Sequence, residues 1–139
     1  MSLVSDPGDA GLADTLVEQD DLENTENFLA LGFPPDSGNA AGVPLLCLAV
    51  RRRHPGLVRL LLESAADPDR PARDRGNSAL MDAAVQGDAD IAAALIEAGA
   101  VAAPVDALGM SARKYAMLFG RRDLAALLDA REGRSDGQA

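Results

Sequence analysis

The sequence predicts an all-α fold: a solenoid of short paired helices stacked as repeated units. The first observation behind this is a period of about 33 residues. Gly76, Ser78, Leu80, Ala83, Ala84 and Gly87 are followed 33 residues later by Gly109, Ser111, Ala116 and Gly120, and preceded 34 residues earlier by Gly42, Pro44, Leu46 and Ala49. A fixed period in this range marks stacked supersecondary units, each burying its apolar face against its neighbours. The second is composition. Hydrophobic residues make up 47% of the chain but aromatics only 3%, so the apolar content is mainly Ala and Leu. Both are strong helix formers, and a sheet would call for more β-branched and aromatic side chains.

Each unit reads as two helices and an extended connection. In the first, Leu12 to Val17 form one helix, and Asp21 caps a second from Leu22 to Leu31 before Gly32. Asn24 and Thr25 stand where the next unit has Leu57 and Val58, so this end unit is expected to turn polar residues to water. In the second unit Pro44 opens a helix through Leu45, Leu46, Leu48 and Ala49. A basic turn, Arg51-Arg52-Arg53-His54, follows, and Pro55 and Gly56 open the helix through Leu62. In the third, the Ser78 hydroxyl can accept from a free backbone N–H and cap a stripe of Leu80, Ala83 and Ala84. Gly87 ends that helix, Asp88 caps the next, and Gly99 closes it. In the fourth, Ser111 caps a helix through Leu118, Gly120 breaks it, and Asp123 to Ala130 form the last helix. The units run over residues 9–38, 39–72, 73–105 and 106–131, with tails at 1–8 and 132–139.

Charge and motif content narrow the function. The net charge of −9 lies wholly in the first quarter: residues 1–36 hold nine acids and no base, whereas from Arg51 onward thirteen acids face thirteen bases. Phosphate backbones attract the opposite sign, so nucleic acid is not an expected partner. No apolar run approaches the ~20 residues that span a bilayer, and no basic, apolar leader precedes the repeats, so a cytoplasmic, membrane-free protein is expected. Cys47 is the only cysteine, set between Leu46 and Leu48, and reads as a buried thiol. His54 is the only histidine and stands seven residues after it, a poor dyad. One His and one Cys fall short of a zinc site, and no phosphate-binding glycine loop or H-E-x-x-H motif occurs. No catalytic residue, metal or cofactor is expected.

The repeated frame resembles the ankyrin repeat, D-x-x-G-x-T-P-L-H-x-A-A-x-x-G-H followed by a Leu-rich helix and G-A-D-x-N. The third unit matches with Gly76, Ser78, Leu80, Ala83-Ala84, Gly87 and Gly99-Ala100. The second matches with Gly42, Leu46, Ala49, His54, Leu60-Leu61-Leu62 and Ala66-Asp67, and the fourth with Asp106, Gly109, Ser111, Ala116 and Gly120. The resemblance covers about residues 10–130 and implies finger-like loops between the helix pairs. The tetrapeptide T-P-L-H reads Pro44-Leu45-Leu46-Cys47, Ser78-Ala79-Leu80-Met81 and Ser111-Ala112-Arg113-Lys114. The family's His, which ties neighbouring repeats together, is absent from these copies, so a stack held more by apolar packing is expected. One finger, Asp67 to Arg75, carries an extra residue.

The resemblance also implies a function: binding another protein through the concave face and the finger tips, without catalysis, by a chain that is monomeric when free. A narrower version is an inhibitor or immunity-type protein that occludes a partner enzyme. Carried position by position onto this sequence, the binding face comprises Ala40, Ala41, Val43, Arg51 and Arg52; then Asp74, Arg75, Asn77, Val85 and Gln86; then Ala107, Leu108, Met110, Leu118 and Phe119. Two patches are expected there: an apolar one of Val85, Leu108, Met110, Leu118 and Phe119, and a basic one of Arg51, Arg52 and Arg75.

Overall fold

A computed structural model describes the backbone of residues 10–102 and 104–136, with side chains over 11–102 and 104–130. The expected tail at residues 1–8 lies outside the described residues. Among them are eight helices: α1 (Ala10–Glu18), α2 (Leu22–Ala30), α3 (Leu45–Arg51), α4 (Pro55–Glu63), α5 (Ala79–Gln86), α6 (Ala89–Glu97), α7 (Ala112–Leu118) and α8 (Arg122–Asp136). They form four pairs in two layers. The first helices of the pairs stack α1 on α3 on α5 on α7, and the second helices stack α2 on α4 on α6 on α8.

The helix starts follow the sequence signals. Asp21, Ser78, Asp88 and Ser111 each accept the N–H of the residue three positions on, at 3.0, 3.2, 3.1 and 3.2 Å. Pro44 is extended and sits just before α3, and Pro55 takes the first turn of α4. The last helix begins one residue earlier than Asp123 and continues past Ala130 to Asp136, through the helix formers Ala130, Arg131 and Glu132.

Burial repeats with the same period. Leu57, Ile91 and Leu124 occupy one position of successive outer helices, and Leu61, Leu95 and Leu128 another; all six are buried. On the inner helices Leu16, Ala49, Ala83 and Ala116 fill the equivalent site, where small side chains let α3, α5 and α7 approach. The stack ends visibly at α7. Val17, Val50 and Ala84 are buried between repeats, but Met117, their equivalent, is 57% exposed. Arg113 and Asp129 pair with each other where α5 and α6 place the buried Leu80 and Ile96. Thr25 corrects an expectation: it is buried like Val58, not turned to water. Its hydroxyl donates to the Asp21 carbonyl at 2.7 Å, which satisfies the polar atom inside the core.

The chain reverses at left-handed residues spaced by the repeat. Outer helices end at Gly32 (φ 96°), Ala65 (φ 74°) and Gly99 (φ 103°). Each of the three turns closes with the same pair of backbone bonds back onto the last helical turn. Ala65 is the exception, because its Cβ resists this conformation by about 1–2 kcal/mol. Ala65→Gly is therefore expected to raise stability by about 0.5–1 kcal/mol, the remainder being offset by glycine's greater freedom when unfolded. Urea unfolding followed by circular dichroism measures it; an unchanged or lower midpoint would show that Ala65 is not strained.

The fingers are tight hairpins, with antiparallel bridges Gly38 to Pro44 and Val105 to Ser111. Successive connections are also tied to each other. The Asp36 carboxylate accepts the Asp67 N–H at 2.7 Å, and Asp69, 33 residues on, accepts the Val101 N–H at 2.8 Å.

Candidate functional site

The fingers before α5 and α7 stand side by side, and with the exposed side of those helices they enclose a groove of about 360 Å³. Val85, Leu108, Met81 and Tyr115 line its apolar part, and Asp74, Arg75, Asn77, Asp82 and Asp106 its polar part. The fourth finger owes its shape to Asp106. One carboxylate oxygen accepts the N–H groups of Leu108 and Met110, at 2.9 and 3.0 Å, and the other accepts the Tyr115 hydroxyl. Gly109, at φ 77°, completes the reversal. This turn holds Leu108 out from the finger, 81% exposed. Burial works to raise the Asp106 carboxyl, but the Tyr115 hydroxyl and the two N–H groups outweigh it and hold it below the usual range. The same bond, with burial, pushes the Tyr115 phenol up.

Beneath the groove a charged network joins the second repeat to the third. Both terminal nitrogens of Arg51 fork onto Asp74, at 3.0 and 3.2 Å, and Nε donates to Asp82 at 3.1 Å. Asn77 links the two sides: its amide nitrogen donates to Asp82 at 2.5 Å and its oxygen accepts from Arg51 at 3.4 Å. Gln86 donates to the Arg51 carbonyl at 2.9 Å, and Arg53 donates to the Gln86 carbonyl at 2.7 Å. The two acids on one guanidinium respond in opposite directions. Burial pushes the Asp82 carboxyl up, with Arg51 opposing, whereas Asp74, out at the rim, is held down by its bonds to Arg51.

Of the residues expected at a binding face, Asp74, Arg75, Asn77, Val85 and Leu108 meet in this groove. The expected basic patch is not formed. Arg51 is half-buried with its guanidinium engaged by Asp74 and Asp82, Arg52 reaches the other way to Glu18 at 3.4 Å, and Arg75 is exposed at the rim with a long ion pair, 3.9 Å, to Asp82. The expected apolar patch divides too. Leu118 and Phe119, 67% and 47% exposed, lie at the end of α7 and do not line the groove, and Met110 is half-buried. Val43 is buried, while Ala40, Ala41 and Ala107 are exposed. Sequence reasoning missed Asp82 and Tyr115. Asp82 carried a signal, as a lone acid within the apolar run Leu80-Met81-Asp82-Ala83-Ala84.

Cys47 is buried, and burial, with Asp82 adding to it, pushes its thiol up to about 12, which leaves it an inert core side chain. His54 precedes α4 with Nδ1 3.8 Å from Asp20. No group of three or more His, Cys, Asp or Glu is placed to hold a metal among the described residues, and none of their helices is long and apolar enough to cross a membrane.

Comparison with known families decides the identity of the repeat. The family model described as Ankyrin repeats (3 copies) matches residues 14–106 and again 46–134. The chain belongs to the ankyrin-repeat family. It is 34% identical over 113 residues to a glycerophosphocholine phosphodiesterase, gde1, of Schizosaccharomyces pombe, covering 80% of this chain but 10% of that protein. It is 40% identical over 73 residues to an ankyrin repeat-containing protein of Treponema pallidum, covering 52% of this chain and 24% of that one. The chain thus spans about a tenth and about a quarter of the lengths of these relatives. Ankyrin repeats generally mediate protein–protein interaction. The stack of this ankyrin-repeat chain is held by a continuous cluster of buried apolar side chains, with a local polar network added to it. Cys47, Met81 and Lys114 stand at the family's His position, yet Arg51 supplies polar ties between repeats by another route.

Proposed function

We propose that this chain is a non-catalytic module that binds another protein in the groove between its third and fourth fingers. The observation that carries this is Leu108. The Asp106 turn spends three hydrogen bonds on presenting a large apolar side chain to water beside Val85 and the Tyr115 ring. An exposed apolar anchor over a concave apolar floor, rimmed by Asp74 and Arg75, has the layout of an interface core and its polar rim. Arg51, Asn77 and Gln86 hold the floor in place rather than meeting the partner.

Affinity purification of the wild type against Leu108→Asp tests this. Loss of a central anchor weakens binding by roughly 1.4–3 kcal/mol, or about tenfold or more. The bound proteins should therefore fall away, with the circular dichroism spectrum unchanged. Full retention of them would place the interface elsewhere. Leu118→Asp with Phe119→Asp, in parallel, shows whether the contact extends to the end of α7.

A further inference from the structure

A second, polar pocket of about 430 Å³ lies between the second and third fingers, lined in part by Asp36, Asn39, Gly42, Arg70 and Arg73. Its origin is a substitution in the repeat. Counted back from the finger glycine, Arg73 stands where the neighbouring fingers have Asn39 and Asp106, three residues before Gly42, Gly76 and Gly109, while the backbone bonds of those two residues fall to Ala72, because this finger is one residue longer. Asn39 closes its own finger by accepting the N–H groups of Ala41 and Val43 at 3.1 and 3.0 Å, as Asp106 does for the fourth. Arginine has no acceptor, so the third finger forgoes both bonds. It is closed by backbone bonds alone, Gly76 to Ala72 at 2.7 Å and Ala72 to Asn77 at 2.9 Å, where the other two fingers make the matching backbone pair and add the side-chain bonds to it.

What the third finger gains is a positioned guanidinium. The Arg73 N–H donates to the Gly42 carbonyl at 3.0 Å, and its stem lies across Gly42 so closely that a Cβ there would stand 2.7 Å from it. Arg70, in the stretch that carries the extra residue, lines the same pocket. Unlike those of Arg51, Arg52 and Arg53, the guanidinium groups of Arg70 and Arg73 have no hydrogen-bond or ion-pair partner among the described residues.

We infer that this pocket receives carboxylate side chains from an acidic segment of the bound protein, a reading that rests on the protein-binding role above. A guanidinium matches a carboxylate in two parallel hydrogen bonds, and two of them face one pocket. Asp36 also lines it, and that charge opposes a doubly charged phosphate more than a single carboxylate. The N–H groups of Ala41 and Val43, which a phosphate cradle would use, are already taken by Asn39.

Fluorescence anisotropy of a labelled hexaglutamate peptide with the full chain, at about 0.15 M salt, tests the assignment. Saturable binding is expected, weakened about tenfold or more in Arg70→Gln with Arg73→Gln, since charge-assisted hydrogen bonds are lost. Leu108→Asp should leave it unchanged. The assay contains no natural partner, so a failure of the groove and a failure of this pocket appear in separate experiments. Absent saturation, or equal binding by the double variant, would overturn the inference. Displacement of the peptide by inorganic phosphate at lower concentration than by free glutamate would overturn the choice of carboxylate.

Discussion

Replacing Arg51 by alanine should remove about 2–3 kcal/mol of stability at neutral pH, and the loss should shrink as the solution is acidified. Arg51 compensates a buried acid. Its Nε sits 3.1 Å from Asp82, whose side chain is 9% exposed, so deletion leaves a carboxylate inside the protein facing only the Asn77 amide and the distant Arg75. Breaking one side of a buried pair costs about 3–5 kcal/mol, and partial exposure of Arg51 moves this site to or below the low end. The pH dependence follows from the two acids. Burial already raises the folded Asp82 carboxyl, and without Arg51 nothing comparable opposes it. A group raised in the folded state contributes its stability below its unfolded value, about 4, and loses it as pH rises through the folded value. The variant is therefore penalised at neutral pH and recovers toward pH ~4. Asp74 works toward the same end. Arg51 holds it down in the wild type, and that contribution is present above about pH 4 and is lost as pH falls through the folded value. Urea unfolding at several pH values measures the gap, and Arg51→Ala with Asp82→Asn should restore part of the loss at neutral pH. A loss independent of pH and unrelieved by Asp82→Asn would mean that Arg51 acts through its aliphatic stem.

Leu95→Ala should cost about 3 kcal/mol or more. Leu95 is fully buried on α6, which packs against α5 on one side and α4 and α8 on the others. Truncating a buried leucine costs about 2–5 kcal/mol, as lost transfer energy plus the cavity left behind. The setting makes it severe, because an interior repeat holds its neighbours on both sides and each repeat contacts only those neighbours. Of a total of about 5–15 kcal/mol for a domain, this is a large part. Leu128→Ala, at the equivalent position of α8, should instead loosen the last repeat ahead of the rest, seen as a broadened unfolding curve. A cost below about 1 kcal/mol at Leu95 would contradict the packing described for the interior repeat.

The fold was legible because its signals are local and recur. Ser78, Asp88, Ser111 and Asp21 announce helix starts within four residues, and Leu57, Ile91 and Leu124 repeat at the spacing of the units. The errors came where a side chain's role depends on distant partners. Arg51, Arg52 and Arg75 read as a basic patch because the acids that claim Arg51 lie 23 and 31 residues further on. Thr25 read as solvent-facing because its type is polar, whereas its hydroxyl is satisfied by its own helix and its methyl packs as Val58 does. At the groove, the period found Val85 and Leu108, since both follow from position in the repeat. It did not find Tyr115, whose place is set by the hydroxyl's bond to Asp106. Nor did it find the pocket at Arg73, which arises where one unit departs from the frame.

Photo-crosslinking tests the central claim most directly. A photoreactive residue at position 108 and, separately, at the exposed Glu97 on α6 would be compared in extract of the native host. The groove reading predicts a discrete protein adduct from position 108 and none from position 97. Equal adducts from both positions, or an adduct from 97 alone, would contradict it.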